Sequence, residues 1–137
     1  MFADVDADAV EEAIDLYVAE LQAAVGEVGP GEAADATEIE DAVVDAVVAG
    51  DAEMIGRMHL TEVAPILAFV DDRPADAIAA DAREELLFAM STAVTDVDRL
   101  AASLDTDLDP KEIQAKLEGR YPMRLREYAA LEIELID

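Results

Sequence analysis

A seven-residue pattern occurs twice in the chain and limits the folds that it can adopt. Residues 58–64 read MHLTEVA and residues 123–129 read MRLREYA, so both copies fit M-x-L-x-E-x-A. A glycine precedes each copy, at Gly50 and at Gly119, and a long segment with helical periodicity precedes each of these regions. Internal similarity of this kind indicates two related structural units. We therefore predict two helical modules, at residues 1–73 and 74–137.

The spacing of hydrophobic residues predicts helices throughout. Hydrophobic side chains recur at three- and four-residue steps, as they do on amphipathic helices. Capping residues and glycines then set the predicted helices at 8–28, 38–49, 62–69, 75–94, 96–104, 110–118 and 125–135. Thr61 and Thr95 are the expected caps of two of them, and residues 51–59 are expected to form a loop. We expect helix 75–94 to be the most buried, with Leu87 and Phe88 extending its apolar face.

The predicted fold class is all-α, with two degenerate helix-turn-helix-like modules packed around a shared core. The chain is 53% apolar, which is ample for a core, although only 4% of its residues are aromatic. An acidic chain with few apolar residues would be expected to be disordered. The high and periodic apolar content of this chain instead indicates a folded protein with an acidic surface.

The charge of the chain is strongly negative. Thirty-four acidic residues face nine basic ones, which gives a net charge of −25, and only two of the nine cations are lysines. This composition is typical of proteins adapted to molar salt, where charges are screened over roughly 3 Å at 1 M. We expect the protein to unfold when salt is removed, because its carboxylates would then repel one another.

Several classes of site and location are excluded or not favoured. The chain has no cysteine, so it cannot form a disulfide or a thiolate metal site. It has no apolar run long enough to span a bilayer and no signal-peptide pattern at its start, so a cytoplasmic location and no membrane contact are expected. The only histidine, His59, has no recognisable catalytic partners. Asp105, Asp107 and Asp109 alternate, but they fit a polar turn and a helix cap better than a calcium loop.

The second module resembles the helix-turn-helix unit of phage-repressor-like transcription regulators. The matching positions are Leu100, Ala101, Leu104, Leu108, Ile113, Leu117, Glu118, Gly119, Arg120, Pro122, Met123 and Leu125. The sequence departs from the pattern at Asp105, which replaces the glycine of the turn. Over its full length the chain is similar to a family of small acidic haloarchaeal proteins of unknown function, which implies a common origin and fold but no activity.

A basic cluster in the second module supplies the candidate site residues. Residues 109–126 carry five cations and three acids, whereas the rest of the chain is strongly acidic. In phage-repressor-like regulators, the second helix of the helix-turn-helix unit enters the major groove of DNA. That resemblance implies base contacts from Lys111 and Gln114, and phosphate contacts from a further set of cations. These cations are Lys116, Arg120, Arg124 and Arg126.

Three roles remain open from the sequence. The leading interpretation is a non-enzymatic interaction or adaptor protein with a regulatory role, which binds a protein partner or a second copy of itself. The alternative is a sequence-specific DNA-binding regulator that uses residues 109–126. The third is an unrecognised enzyme or metal protein. No cofactor, metal site or small-molecule ligand is predicted, and ion pairs within the protein would equally explain the basic cluster.

Overall fold

The predicted all-α class is confirmed in a computed structural model of the chain. The structure describes residues 7–29, 32, 41–104 and 108–136, and these contain eight helices and no strand. The helices are α1 (Ala7–Val28), α2 (Asp41–Ala49), α3 (Ala52–Arg57), α4 (Leu60–Leu67), α5 (Ala75–Ala93), α6 (Val97–Ser103), α7 (Pro110–Leu117) and α8 (Leu125–Ile136). The first three residues of the predicted helix 38–49, and Asp105 and Asp107 of the predicted acidic turn, lie outside the described residues.

Four helices form the centre of the molecule. Both α1 and α5 pack against α4 and α8, while α2 lies against α1 and α7 lies against α5. One cluster of buried side chains joins all of these helices. The largest fully buried side chains are Ile14, Leu21, Val47, Ile55, Ile66, Leu86, Leu100, Ile113 and Leu117. The core is therefore aliphatic, as the composition predicts, and it contains residues from both halves of the sequence.

The two copies of the M-x-L-x-E-x-A pattern lie side by side. Their backbones form an isolated antiparallel bridge between His59 and Arg124. The Leu60 amide donates to the Met123 carbonyl at 2.8 Å, and the Leu125 amide donates to the Met58 carbonyl at 2.8 Å. These reciprocal bonds join the start of α4 to the start of α8. The assignment of residues 1–73 and 74–137 as separate modules stays a prediction.

Each copy also has the same local capping arrangement. Glu62 accepts a hydrogen bond from the His59 amide, and Glu127 accepts one from the Arg124 amide, both at 2.9 Å. Upstream, Gly50 and Gly119 adopt φ values of 69° and 80°. This left-handed conformation ends helices at low cost only when the residue is glycine. The repeat in the sequence thus corresponds to a repeat in backbone conformation.

The prediction of a loop at residues 51–59 is wrong, because this segment contains α3. Asp51 caps the helix by accepting a hydrogen bond from the Met54 amide at 3.2 Å, and Ile55 and Gly56 are buried. A Cβ atom placed on Gly56 would lie 3.1 Å from Cδ1 of Ile14, so α3 packs closely on α1. A helix of six residues is too short to show a clear hydrophobic period.

Two predicted helix starts are also corrected. His59, not Thr61, is the N-cap of α4, so Pro65 lies in the second turn of that helix and not in the first. Asp96, not Thr95, is the N-cap of α6, and its side chain accepts a hydrogen bond from the Arg99 amide at 2.9 Å. In both regions the predicted and observed caps are one or two residues apart, which is within the usual variation of helix boundaries.

The prediction that α5 is the most buried helix is wrong for its C-terminal half. Ile78, Ala79, Leu86 and Met90 are buried as predicted. Leu87 and Phe88, which were expected to widen the buried face, are exposed instead. The C-terminal half of α5 therefore contacts the core along one narrow side.

Candidate binding surfaces

Helix α7 carries the first of the predicted site residues. Asp109 caps this helix by accepting a hydrogen bond from the Glu112 amide at 2.8 Å, and Pro110 occupies the first helical position. Burial of Ile113 and Leu117 on the core side fixes the rotation of the helix. As a result Lys111 is exposed, whereas Gln114 and Lys116 are half-buried.

Lys116 forms an ion pair inside the second half of the protein. Its Nζ atom lies 2.7 Å and 2.6 Å from the two carboxylate oxygens of Glu127. The two side chains are only 13% and 18% exposed. The same carboxylate accepts the Arg124 amide, so Glu127 both caps α8 and neutralises Lys116. Phosphate could reach Lys116 only if this partly buried pair separated.

Glu118 binds two more of the candidate side chains. Gln114 Nε2 donates to it at 2.7 Å, and Arg120 Nε donates to it at 2.8 Å. These bonds, first that from Gln114 and then that from Arg120, hold the pKa of Glu118 below its usual value. One amide hydrogen of Gln114 that could read a base is therefore engaged by Glu118, the C-cap residue of α7.

The remaining cations differ in their surroundings. Arg126 donates to Glu11 of α1 at 2.6 Å, which links the last helix to the first. Within the part of the chain that the structure describes, Lys111 and the Arg124 guanidinium have no ion-pair partner. Both of these side chains belong to exposed residues.

The six candidate residues do not all line the same groove. Lys111, Gln114 and Arg120 line an open groove between α7 and the start of α6, together with Tyr121. Lys116, Arg124 and Arg126 do not line this groove. Three acids, Asp98, Asp109 and Glu112, line it as well. Residues 109–126 carry more cations than acids, but the groove itself is lined by more acids than cations.

A second surface lies at the C-terminal end of α5. Phe88 is 75% exposed and Val94 is 79% exposed, and Leu87 beside Phe88 is also exposed. Leu87 and Val94 are seven positions apart, about two helical turns, which places them on the same side of the helix. Residues 86–95 are the longest stretch of the chain without a charged residue. We refer to Leu87, Phe88 and Val94 as the α5 apolar surface.

Val94 has an unusual backbone conformation. It ends α5 with φ 52° and ψ 53°, and it is the only non-glycine residue with positive φ among the described residues. This conformation is unfavourable for a β-branched side chain, and strain of this kind costs roughly 1–3 kcal/mol. Gly50 and Gly119 avoid that strain at the ends of α2 and α7. The valine thus provides exposed apolar area where a glycine would stabilise the fold better.

One protein-family model matches most of the chain. A family model described as "Family of unknown function (DUF5791)" matches residues 13–137. The chain belongs to this family. Searches of curated proteins and of solved structures found no match. The DUF5791 match covers both surfaces, but it specifies neither a haloarchaeal source nor a phage-repressor-like unit, so these two resemblances stay predictions.

Two further properties of this DUF5791 protein concern metals and membranes. Among residues 7–29, 41–104 and 108–136, histidine, aspartate and glutamate side chains nowhere form a group of three that could hold a metal ion. Over the same ranges, every helix is either too short or too polar to cross a bilayer.

The sequence reasoning missed the α5 apolar surface because it assigned Leu87 and Phe88 to the core. A signal was present in the uncharged run at 86–95, which is conspicuous in a chain with 31% charged residues. A helix in this protein normally carries acids on its solvent side. The end of α5 has none there, and its exposed residues are the apolar Leu87, Phe88, Ala93 and Val94 with the uncharged polar Ser91 and Thr92.

Proposed function

We propose that this protein is a non-enzymatic helical interaction module with a regulatory role, and that it binds a protein partner at the α5 apolar surface. The supporting observation is the exposure of Phe88 and Val94 within the longest uncharged stretch of the chain. Exposed apolar patches with polar rims are typical of protein interaction sites. Aromatic residues are also frequent among the side chains that contribute most to binding.

The rim of this surface indicates the chemistry of the partner. The flank before the uncharged stretch is Arg83, Glu84 and Glu85, and the flank after it contains Asp96, Asp98 and Arg99, so each flank has two acids and one arginine and is negative overall. A complementary segment therefore has apolar side chains in its centre and lysine or arginine at its ends. The partner segment that fits best is a basic amphipathic helix.

A second copy of this chain fits the surface less well. In a symmetric pairing, each acidic rim would face the same acidic rim of the other copy, because the same patch is used twice. Like charges placed opposite each other oppose association. A different protein with the opposite rim charge avoids this repulsion.

DNA binding through α7, the alternative interpretation from the sequence, has weaker support. Lys116, Arg120 and Arg126 already have carboxylate partners, and Gln114 donates to Glu118. Phosphate contacts would have to replace these partners, and phosphate attraction weakens steeply as salt increases.

The test uses a synthetic helix as the probe. It has about 14 residues, roughly four turns, with leucine on one face and lysine on the other. Binding to the full chain is measured by fluorescence anisotropy in about 1 M KCl, where long-range charge attraction is screened. A second peptide carries glutamate in place of every lysine. We expect the basic peptide to bind and the acidic one not to bind.

Two variants identify the surface that is used. The double substitution Leu87→Ser and Phe88→Ser should weaken binding of the basic peptide at least about tenfold, as expected for the loss of a central apolar anchor. The control is Leu16→Ser, because Leu16 is 69% exposed on α1 among charged neighbours. Equal affinity of the two variants would overturn the proposal. So would self-association of the wild-type chain that Phe88→Ser abolishes, since the occupant would then be a second copy.

A further inference from the structure

A cavity lies where the four central helices meet. Side chains from α1, α4, α5 and α8 line a cavity of about 230 Å³ that is open to solvent on one side. Its walls are apolar and consist of Leu21, Leu60, Val63, Ala64, Leu67, Ile78, Ala79, Ala82 and Leu125. The cavity is thus located between the two halves of the sequence, beside the paired M-x-L-x-E-x-A segments.

Two tyrosines and two glutamates form the polar part of the lining. They are Tyr17 and Glu20 on α1, and Tyr128 and Glu132 on α8. The Tyr17 hydroxyl donates to Oε1 of Glu132 at 2.6 Å. The centroids of the two tyrosine rings are 6.1 Å apart, and the rings are inclined at 55°. The Glu132 carboxylate and both tyrosines therefore meet beside an apolar space.

The residues that line the cavity include no lysine, arginine or histidine. Glu132 accepts its hydrogen bond from Tyr17, and Tyr128 donates to Glu85 at 3.3 Å. Burial, followed by the nearby carboxylates, raises the pKa of both tyrosines well above the usual range. Both rings remain neutral at ordinary pH, so the negative charge of the glutamates is not balanced by any side chain of the lining.

We propose that this cavity binds a small aliphatic ammonium compound. Its cationic head group would lie against Glu132 and the faces of Tyr17 and Tyr128, because carboxylates and electron-rich rings both attract cations. Its hydrocarbon tail would occupy the apolar space below them. A cavity of roughly 150 Å³ holds benzene, so this volume corresponds to a ligand with about nine non-hydrogen atoms.

This inference goes beyond the proposed partner binding and does not depend on it. The residues of α5 that line the cavity are Ile78, Ala79 and Ala82, which lie in the first half of the helix. Phe88 and Val94 are in the second half and do not line it. Either site could therefore fail its test while the other passes.

Three probes of the same chain length separate charge from hydrophobicity. Octylammonium, octanol and octanoate are titrated into the full chain at pH 7 in about 1 M KCl, and binding is followed by isothermal calorimetry. An alkyl amine is protonated at this pH, as lysine is. We expect octylammonium to bind at least about tenfold more tightly than octanol, and octanoate to show no binding. Equal affinities for octylammonium and octanol would overturn the proposed role of the carboxylates.

Substitutions then locate the site. Glu132→Gln keeps a hydrogen-bond acceptor for Tyr17 but removes the charge, so it should reduce octylammonium affinity about tenfold and leave octanol affinity unchanged. Ala82→Leu fills the space and should abolish binding of both. The control is Glu27→Gln, which removes one charge from an exposed position on α1 outside the lining.

The expected result is a loss in Glu132→Gln with none in Glu27→Gln, in chains whose thermal unfolding shows that they are folded. The same small loss in both variants would overturn the proposal, because octylammonium would then respond to net charge only. Absence of octylammonium binding to the wild-type chain would likewise show that the cavity is only a packing defect.

Discussion

The sequence is a poor guide both to the basic cluster of α7 and α8 and to the apolar end of α5, but in opposite ways. The cluster is conspicuous in the sequence, since five of nine cations lie between Lys111 and Arg126. In the folded protein three of these cations are paired with glutamates. The end of α5 resembles a core segment in the sequence, yet in the folded protein it exposes Phe88 and Val94.

The difference arises because charge and hydrophobicity act through space and not along the chain. Two of the carboxylates that neutralise the cluster, Glu11 and Glu127, lie outside residues 109–126. A count over that window therefore finds an excess of positive charge that its surroundings cancel. For α5, the hydrophobic period shows which residues are apolar, but it does not show where the neighbouring helices end. Only Leu86 and Met90 of its second half are covered.

The largest expected effect distinguishes two neighbouring leucines on α5. Leu86 is 1% exposed and Leu87 is 37% exposed. Leu86→Ala should lower the free energy of unfolding by about 3 kcal/mol, because it leaves a cavity in the core. Leu87→Ala should lower it by less than about 1 kcal/mol. Chemical denaturation in molar salt measures both, and equal losses would show that Leu87 is part of the core.

The next effect compares the two copies of the repeat. Glu127→Ala removes the cap of α8 and also leaves Lys116 unpaired in a partly buried position, so we expect a loss of about 3 kcal/mol in unfolding free energy. Glu62→Ala is the matched control, because it removes the corresponding cap at His59, where the two side chains are more exposed, at 35% and 43%. It should cost only about 1 kcal/mol.

Denaturation curves of these two variants and the wild type give the comparison. Equal losses would contradict the description of Lys116 as an internally paired cation. That side chain would then be available for an external anion, and the basic cluster would regain its importance as a binding site.

The smallest effect has the opposite sign. Val94→Gly should raise the free energy of unfolding by about 0.5–1 kcal/mol, because relief of the left-handed valine exceeds the extra backbone entropy of glycine. The same substitution should weaken binding of the basic peptide, since it removes apolar area. Thermal unfolding and peptide titration test the two parts. A loss of stability would show that Val94 has packing contacts that outweigh its backbone strain.

Much of the fold could be predicted from the sequence, and the predictions that failed did so for identifiable physical reasons. The bounds of α5 and α8 follow from Pro74, from the hydrophobic period and from the turn after Gly119. The short helix α3 was missed, because its stability comes from burial of Ile55 against α1 and not from a pattern of its own.

The sites were less predictable than the helices. The six polar candidates were found as residues, but the carboxylate partners of Arg126 and Arg120 come from α1 and from the end of α7, and the sequence pattern does not show these contacts. The cavity lined by Tyr17 and Glu132 could not be predicted at all, since these residues are 115 positions apart and meet only through the packing of α1 on α8.

The central claim is that the α5 apolar surface, and not the basic cluster, is where this protein meets its partner. It is tested most directly by following the backbone amide signals of the ¹⁵N-labelled chain by NMR while the basic and the acidic amphipathic peptides are added separately. The account predicts that the basic peptide shifts the signals of residues 86–95, and that the acidic peptide shifts neither these nor residues 110–126. The contrary result would be that the acidic peptide shifts the signals of residues 110–126, while the signals of residues 86–95 do not change.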